Sequence, residues 1–167
     1  PEVMRYFPKL LSKKTSEIIA NKCQKLISEN GWGFWAVSLK EGLEKKSGSK
    51  KSDFIGMVGL NQVHQDMPFA PGVEIGWRLD KEYWRNGYAL EAATASLRFA
   101  FEVLELEEVV AFTAVVNKPS QLLMQRLGMS NSHQDFNHPF LDSKHLLAKQ
   151  VLYKITQQQW RQLVLEQ

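Results

Sequence analysis

The sequence predicts an α/β (α+β) fold in which helices flank a mixed, mostly antiparallel central sheet. Two observations lead to this class. First, aromatic and β-branched segments alternate along the chain with segments whose apolar residues recur at helical spacing. Second, a predicted helix separates the third strand from the fourth, and parallel neighbours need a crossover of about that length. The first three strands follow one another through loops, which favours antiparallel pairing for the rest of the sheet.

The predicted elements run in the order helix, three strands, helix, strand, helix, strand, helix. The predicted strands are 34–39, 54–63, 73–79, 109–116 and 146–155. The predicted helices are 15–29, 87–104, 120–127 and 157–165. Asn30-Gly31 supplies a left-handed stop for the first helix. The elements cover nearly the whole chain without a long linker or an internal repeat, so we expect one domain over residues 1–167.

Composition excludes several classes of protein. With 44% hydrophobic residues among 167, the chain has enough apolar material to exclude disorder as its main state. It has no window close to the ~18 uninterrupted apolar residues of a membrane span. A formal charge of +3 is too small to imply nucleic-acid binding. Since no signal segment opens the chain, we expect a cytoplasmic protein, monomeric or homodimeric, that has no membrane partner.

Two further features each leave an alternative open. The single cysteine, Cys23, excludes an internal disulfide and argues against a cysteine metal site, so no metal is expected. Its apolar helical surroundings favour a small core residue over a nucleophile. The lysine-rich run 45–52 is predicted to form a hairpin tip, which is either solvated surface or a docking site for an acidic partner. Association with the ribosome or with RNA through Lys45 to Lys51 is a separate and weaker alternative.

The turn between the third strand and the following helix predicts a phosphate site. A helix N-terminus exposes unpaired N–H groups and the positive end of the helix dipole. Gly87 stands at this turn and removes the side chain that would block a ligand's approach to the backbone. Together these features predict a phosphate cradle; an ordinary strand-to-helix turn is the alternative. The glycine motifs of P-loop and dinucleotide-binding proteins are absent from the sequence.

The same region resembles a known family. Residues 73–79 followed by 83–92 resemble the central motif of the GCN5-related N-acetyltransferases (GNAT), and more narrowly the RimJ/RimL-like branch. Asn117-Lys118-Pro119-Ser120, followed by Leu127-Gly128, is similar to the family's second motif. Two positions depart from the pattern: Trp84 replaces a glutamine or arginine, and Met124 replaces the tyrosine that serves many members as general acid. The family's first strand is apparently missing, so we expect residues before Pro1 to be absent.

The resemblance implies a GNAT-like fold, acetyl-CoA as co-substrate and an amine as acceptor. It implies that the backbone of the third strand pairs with the pantetheine arm and that N–H groups at the helix start hold the pyrophosphate. The acetyl-CoA-binding residues it implies are Trp77, Leu79, Arg85, Asn86, Gly87, Tyr88, Ala89, Leu90 and Asn117. The acceptor is a protein N-terminal α-amine, as in the branch, or a small molecule. A non-catalytic acyl-CoA-binding module is the alternative function.

Direct attack of an amine on a thioester requires a base for the amine and an acid for the thiolate. The candidate base is Glu74, whose neighbours Val73 and Ile75 would desolvate it and raise its pKa. The alternative is a salt bridge with Arg78, which strand alternation places on the same face. Ser120 is the candidate acid, and a helix cap is its structural alternative.

The remaining candidates are histidines and aromatic residues. Four histidines are candidates for a proton relay, although loop histidines more often have a structural role. They are His64, His133, His138 and His145. Four aromatic residues are candidates for lining the acceptor pocket, and a place in the core is the alternative for each. They are Trp32, Trp35, Phe69 and Trp77.

Overall fold

A computed structural model of the protein describes residues 2–40 and 54–166. The predicted hairpin tip at 45–52 lies outside these residues. The strands are β1 (Phe34–Ser38), β2 (Phe54–Gln62), β3 (Val73–Leu79), β4 (Glu108–Ala114), β5 (Ser130–Asn131), β6 (Phe136–Asn137) and β7 (Lys149–Thr156). The helices are α1 (Lys13–Asn30), α2 (Tyr88–Glu102), α3 (Lys118–Arg126) and α4 (Gln157–Leu165).

Within the described residues, the strands form one open sheet in the order β1-β2-β3-β4-β7-β5, and β6 also pairs with β7. The neighbours β3 and β4 are parallel, and α2 is the crossover between them. Every other pair is antiparallel. The predicted fold class, a mixed and mostly antiparallel sheet flanked by helices, is confirmed.

The helices begin and end at residues that suit those positions. The Ser12 hydroxyl accepts from the Thr15 N–H at the start of α1, and Gly31 ends that helix with a φ of 79°. A capping box formed by Thr156 and Gln159 begins α4. None of the described helices is both long and apolar enough to cross a membrane.

Apolar residues cover both faces of the sheet, but unequally. The larger cluster lies between the sheet and α2, where Leu97 and Ala100 are fully buried beside Ile75 and Leu79 of β3. On the opposite face, Val110 and Leu152 belong to a smaller cluster. This second face is therefore less completely filled, and it is the one that carries Glu74, Gly76 and Arg78.

Three local predictions were wrong. The last strand begins at Lys149 rather than Leu146, because the chain turns at His145 and leaves Leu146 77% exposed. Cys23 is only half-buried, since α1 has no buried residue. Ser120 does not cap α3; the cap is Asn117, whose side-chain oxygen accepts from the Ser120 N–H.

Candidate active site

The sheet is discontinuous between β3 and β4. The two parallel strands share a single register pair, Glu74 with Val110, at the beginning of β3. In a continuous parallel pair, slanted hydrogen bonds would join every second residue along both strands. After Glu74, the edge of β3 therefore presents backbone N–H and C=O groups to a gap. Trp77 and Leu79, the residues expected to pair with a pantetheine arm, lie in this part of β3.

At the end of this gap, α2 begins without a side-chain cap. Gly87 precedes the helix with a φ of 86° and no side-chain hydrogen bond. The first bond of the helix runs from the Glu91 N–H to the Gly87 carbonyl, so the helix leaves the N–H groups of residues 88–90 without an internal acceptor. A Cβ built on Gly87 would meet nothing within 4 Å. Unpaired N–H groups next to an uncrowded glycine fit an anion such as a diphosphate.

Trp84 supports this turn in the position where the family has a glutamine or arginine. Its indole N–H donates to the Leu79 carbonyl at 2.9 Å, which ties the turn to the end of β3. The following residues, Arg85 and Gly87, both have positive φ. The departure from the family pattern therefore leaves a turn that still directs backbone N–H groups to open space.

A cavity of about 470 Å³ passes through the gap. It is lined on one side of the sheet by Glu74, Gly76 and Arg78, with α1 above them, and it also reaches Trp77 and Ser120. Trp77 also packs with the larger apolar cluster on the opposite face, so residues from both faces of the sheet contribute to the cavity wall.

Glu74 is held in the cavity wall by a cross-strand neighbour. Asn61 of β2 donates from Nδ2 to Glu74 Oε1 at 3.0 Å. Burial raises the pKa of the Glu74 carboxyl, and the hydrogen bond from Asn61 offsets part of that rise. The alternative salt bridge is absent within the described part of the chain, where Arg78 forms no ion pair. Asn61 thus bonds one oxygen of the carboxylate, Oε1. The pKa of the carboxyl is shifted in the direction that a general base needs.

Ser120 lies across the gap from β3 and is oriented by two hydrogen bonds. Its hydroxyl accepts from the Trp77 indole N–H at 2.9 Å, and its backbone N–H donates to Asn117 Oδ1 at 3.3 Å. Because the oxygen accepts from the indole, the hydroxyl proton remains available for donation. Asn117 also donates from Nδ2 to Thr113 Oγ1 at 2.9 Å. One N–H of its amide is left over, so a bond to the pantetheine arm stays a prediction.

The lining of the cavity distinguishes among the candidate histidines and aromatic residues. Of the four histidines, only His138 lines it; burial lowers the pKa of that ring, and its Nδ1 accepts from the Phe140 N–H at 3.3 Å. The neutral ring therefore carries its proton on Nε2. Of the four aromatic candidates, only Trp77 lines the cavity, since Trp35 packs on Phe99 and Phe69 on Phe112 and Phe136.

Sequence reasoning missed the part of the cavity wall that comes from the start of the chain. Tyr6 and Phe7 line it, together with Cys23 of α1. Phe7 lies over Arg78, with 4.0 Å between the guanidinium carbon and the ring centroid. Contacts between residues so far apart along the chain leave no local pattern, so no signal in the sequence could have revealed them. Cys23, predicted to lie in the core, instead lies at a ligand-accessible surface.

Comparison with known proteins agrees with this geometry. The family model described as an acetyltransferase (GNAT) domain matches residues 1–130. An uncharacterised protein of Bacillus subtilis, YkkB, is 31% identical over 141 residues, which is 83% of this chain and 76% of that protein. The chain belongs to the GNAT family of acetyltransferases, as the sequence resemblance predicts. It is therefore an enzyme of the N-acetyltransferase class.

Solved structures share the fold. The ribosomal-protein-S5-alanine acetyltransferase of Vibrio fischeri has a TM-score of 0.68 at 17% identity, covering 94% of this chain and 81% of that one. The spermidine N-acetyltransferase of Vibrio cholerae, in complex with CoA and spermine, also has a TM-score of 0.68, at 18% identity, covering 96% and 85%. The shared fold thus includes an enzyme of the ribosomal-protein type that the sequence resembles. At these low sequence identities, the similarity shows a shared fold alone. The two enzymes act on different acceptors.

Proposed function

We propose that this protein transfers the acetyl group of acetyl-CoA to a primary amine, on a protein N-terminus or a small molecule, by direct attack in a ternary complex. The observation that carries the proposal is the cavity at the gap between β3 and β4, with Glu74 and Ser120 in its walls. The uncapped start of α2, which follows β3 along the chain and does not line this cavity, is the second element of the site. We assign the whole of residues 1–167 to this one domain. Its cytoplasmic location stays a prediction.

Acetyl-CoA supplies the activated acyl group, and the residues of the chain supply its position. The N–H groups of Tyr88, Ala89 and Leu90, at the positive end of the α2 dipole, are suited to hold the pyrophosphate. Backbone groups of Trp77 and Leu79 are suited to pair with the arm, since the gap leaves that edge of β3 without a strand partner. We propose Arg85, Asn86 and Gly87 as the other members of this site.

Glu74 removes the proton that prevents attack. An amine with a pKa of ~8 to ~10 is mostly protonated at neutral pH and has no free lone pair. Once Glu74 has taken a proton, the nitrogen attacks the carbonyl carbon, the C–N bond forms and the C–S bond breaks. The Ser120 hydroxyl donates a proton to the departing sulfur and is restored by the second proton that the nitrogen loses, while the third proton stays on the amide nitrogen. Glu74 then returns its proton to the solvent. The products are the N-acetylated amine and CoA.

The test combines calorimetry with acetyl-CoA and an assay of CoA release with a panel of amines. Binding together with amine-dependent release supports the proposal. Binding without turnover on any amine, with Glu74→Gln behaving like the wild type, supports the non-catalytic acyl-CoA-binding module instead, for which the missing tyrosine at Met124 is the favouring observation. Absence of heat on titration with acetyl-CoA overturns both.

The pH profile of the reaction follows from the direction of the Glu74 shift. Only the ionised carboxylate accepts a proton, so kcat/KM should rise with pH through the Glu74 pKa. Because burial raises the pKa of this carboxyl, the midpoint of the acidic limb should lie above the ~4.3 of an ordinary glutamate. A profile of kcat/KM from about pH 4 to pH 9 measures it. A rate that stays constant down to the ordinary value contradicts the role of Glu74.

Replacing Ser120 by alanine tests the proposed acid. We expect kcat to fall about 100-fold, the lower end of what general acid catalysis contributes. The melting temperature should also fall, because the Trp77 indole N–H loses its acceptor at a cost of about 1–3 kcal/mol. Ser96→Ala is a matched control, since this buried serine of α2 bonds only within its helix, to the Ala92 carbonyl. Equal kcat for the two variants contradicts an acid at Ser120.

A further inference from the structure

Arg78 is a charged residue that has no hydrogen-bond or ion-pair partner within residues 2–40 and 54–166. Its Nε is buried and makes no hydrogen bond. The guanidinium lies against the Phe7 ring, at 4.0 Å, and interacts electrostatically with Cys23. Glu74, the carboxylate on the same strand face, is bonded to Asn61 instead. Burial lowers the pKa of the Arg78 guanidinium, which nevertheless remains charged because the ordinary pKa of arginine lies far above neutral pH.

The Arg78 side chain is half-buried, and Nε is the atom of its guanidinium that is shielded from water without an acceptor. A shielded donor is unfavourable when no acceptor replaces its lost hydration, so a bound ligand that supplies one is favoured. Arg78 lies in the wall of the substrate cavity, so its remaining partner can come from a bound molecule. The planar fork of five N–H donors matches a carboxylate, which accepts two parallel hydrogen bonds. The Phe7 ring covers one face of the fork and excludes water there, which strengthens such a pair.

Two residues of opposite charge in the cavity wall lie on the same face of β3. Glu74 stands at the gap, where the acetyl group is transferred in the proposed function, and Arg78 lies four residues farther along the same face. At ~3.3 Å per residue, the two α-carbons are about 13 Å apart. Gly76 lies between them, and a Cβ there would meet the Phe34 ring at 3.0 Å. The Phe34 ring therefore packs directly on Gly76, and it lines the same cavity as the carboxylate and the guanidinium. A ligand that contacts both charged groups runs along this ring.

We propose that the acceptor is an amine that also carries a carboxylate, with the amine at Glu74 and the carboxylate bound by Arg78. This proposal rests on the proposed function and names its acceptor class. The separation fits an ω-amino acid with a chain of several carbon atoms, or a peptide whose acidic side chain follows its free N-terminus. A polyamine would bring a second positive charge to Arg78, so the site discriminates against it.

The test uses acceptors that differ only in the terminal group. CoA release is measured for ω-amino acids of graded chain length, for their amides and for the corresponding diamines. Short peptides with a free N-terminus and either glutamate or glutamine at the second position form the other arm. We expect kcat/KM to be about 10- to 100-fold higher for the carboxylate of each effective pair, as for a buried hydrogen bond to a charged group. The arm with the larger ratio identifies the source of the carboxylate.

Variants test whether Arg78 causes the preference for an acceptor that carries a carboxylate. Arg78→Gln should bring the ratio close to one while leaving kcat/KM on the amides within a few-fold of the wild type, and Arg78→Glu should favour the diamines. Lys22→Gln is the matched control, because Lys22 is an exposed cation that also lines the cavity, and its ratio should stay near that of the wild type. The melting temperature of Arg78→Gln should change little, because the loss of the contact with the Phe7 ring offsets the removal of a charge that lacks an ion-pair partner among the described residues.

A binding measurement separates failure of this inference from failure of the proposed function. In the presence of CoA, ω-amino acids should raise the melting temperature of the wild type more than diamines do, and Arg78→Gln should lose that difference. This readout does not depend on turnover. If amines are acetylated but carboxylates and amides react equally, the acceptor class is wrong and the proposed function stands. If the ratio is unchanged in Arg78→Gln, or no carboxylate stabilises the protein, the role of Arg78 is overturned.

Discussion

Replacement of Glu74 by glutamine should reduce kcat/KM about 10²- to 10⁴-fold, the contribution expected of a general base. The amide is nearly isosteric, and its oxygen can still accept the hydrogen bond from Asn61, so the wall of the cavity is preserved. The affinity for acetyl-CoA should stay the same, because Glu74 faces the amine and lies apart from the start of α2. Steady-state kinetics and calorimetry on the same preparation measure both quantities.

The stability of this variant provides an independent check. The pKa of the Glu74 carboxyl is higher in the folded protein than in the unfolded chain, so its contribution to stability is present at low pH and is lost as the pH rises through the folded value. Glutamine is neutral at every pH and does not lose that contribution. The melting temperature of Glu74→Gln should therefore exceed that of the wild type by more at about pH 7 than at about pH 4.

A second glutamate serves as the control that shows whether the loss of activity is specific to Glu74. Glu108→Gln removes a carboxylate from the neighbouring strand β4, where Glu108 lies 3.3 Å from Lys154 Nζ and does not line the cavity. Its kcat/KM should stay within a few-fold of that of the wild type. If Glu74→Gln is as active as Glu108→Gln, another group deprotonates the amine. Among the described residues, His138 is then the next to test, because it lines the same cavity.

Replacement of Gly87 by alanine should weaken acetyl-CoA binding about 10- to 100-fold, which corresponds to the loss of one charge-assisted hydrogen bond. The added Cβ would enter space at the turn before α2 that is free of other residues within 4 Å, and the proposed function places the pyrophosphate beside this turn. Calorimetric titration with acetyl-CoA measures the effect. We expect the loss chiefly in affinity, because Glu74 and Ser120 are untouched.

The chain contains a close control for the backbone cost. Gly31 has a φ of 79° at the end of α1, and a Cβ there would also meet nothing within 4 Å. Alanine at either glycine imposes a similar left-handed strain of about 1 kcal/mol, so both variants should lose similar stability. Only Gly87→Ala should lose affinity. Equal dissociation constants for the two variants would show that the start of α2 does not bind the pyrophosphate.

The parts of the site that the sequence predicted are local ones. Gly87 was recognised because a turn glycine and a helical pattern lie side by side, and the direction of the Glu74 pKa shift follows from its apolar strand neighbours. Asn117 as the cap of α3 was missed, although Asn followed by a proline in the first turn is a recognisable cap signal. The turn at His145 was missed because Leu146 and Leu147 extend the apolar pattern of β7.

Long-range contacts were not predictable in the same way. The cover of Phe7 on Arg78 joins two segments separated by the whole of α1, β1 and β2. Strand alternation correctly placed Glu74 and Arg78 on one face, but it could not show that Asn61 would take the carboxylate and leave the guanidinium unpaired. Such a choice between partners depends on the register of β2 against β3, which pairs Asn61 with Glu74.

The single register pair between β3 and β4 has a mechanical consequence. Two half-sheets joined at one point can change the angle between them, and that point is then the fulcrum of the movement. Glu74 is one of the two residues at the fulcrum. Points near a fulcrum are displaced least by such a change of angle, so the Glu74 carboxylate is the least displaced of the β3 groups that line the cavity. The proposed base would thus keep its position if the far ends of the two strands moved apart.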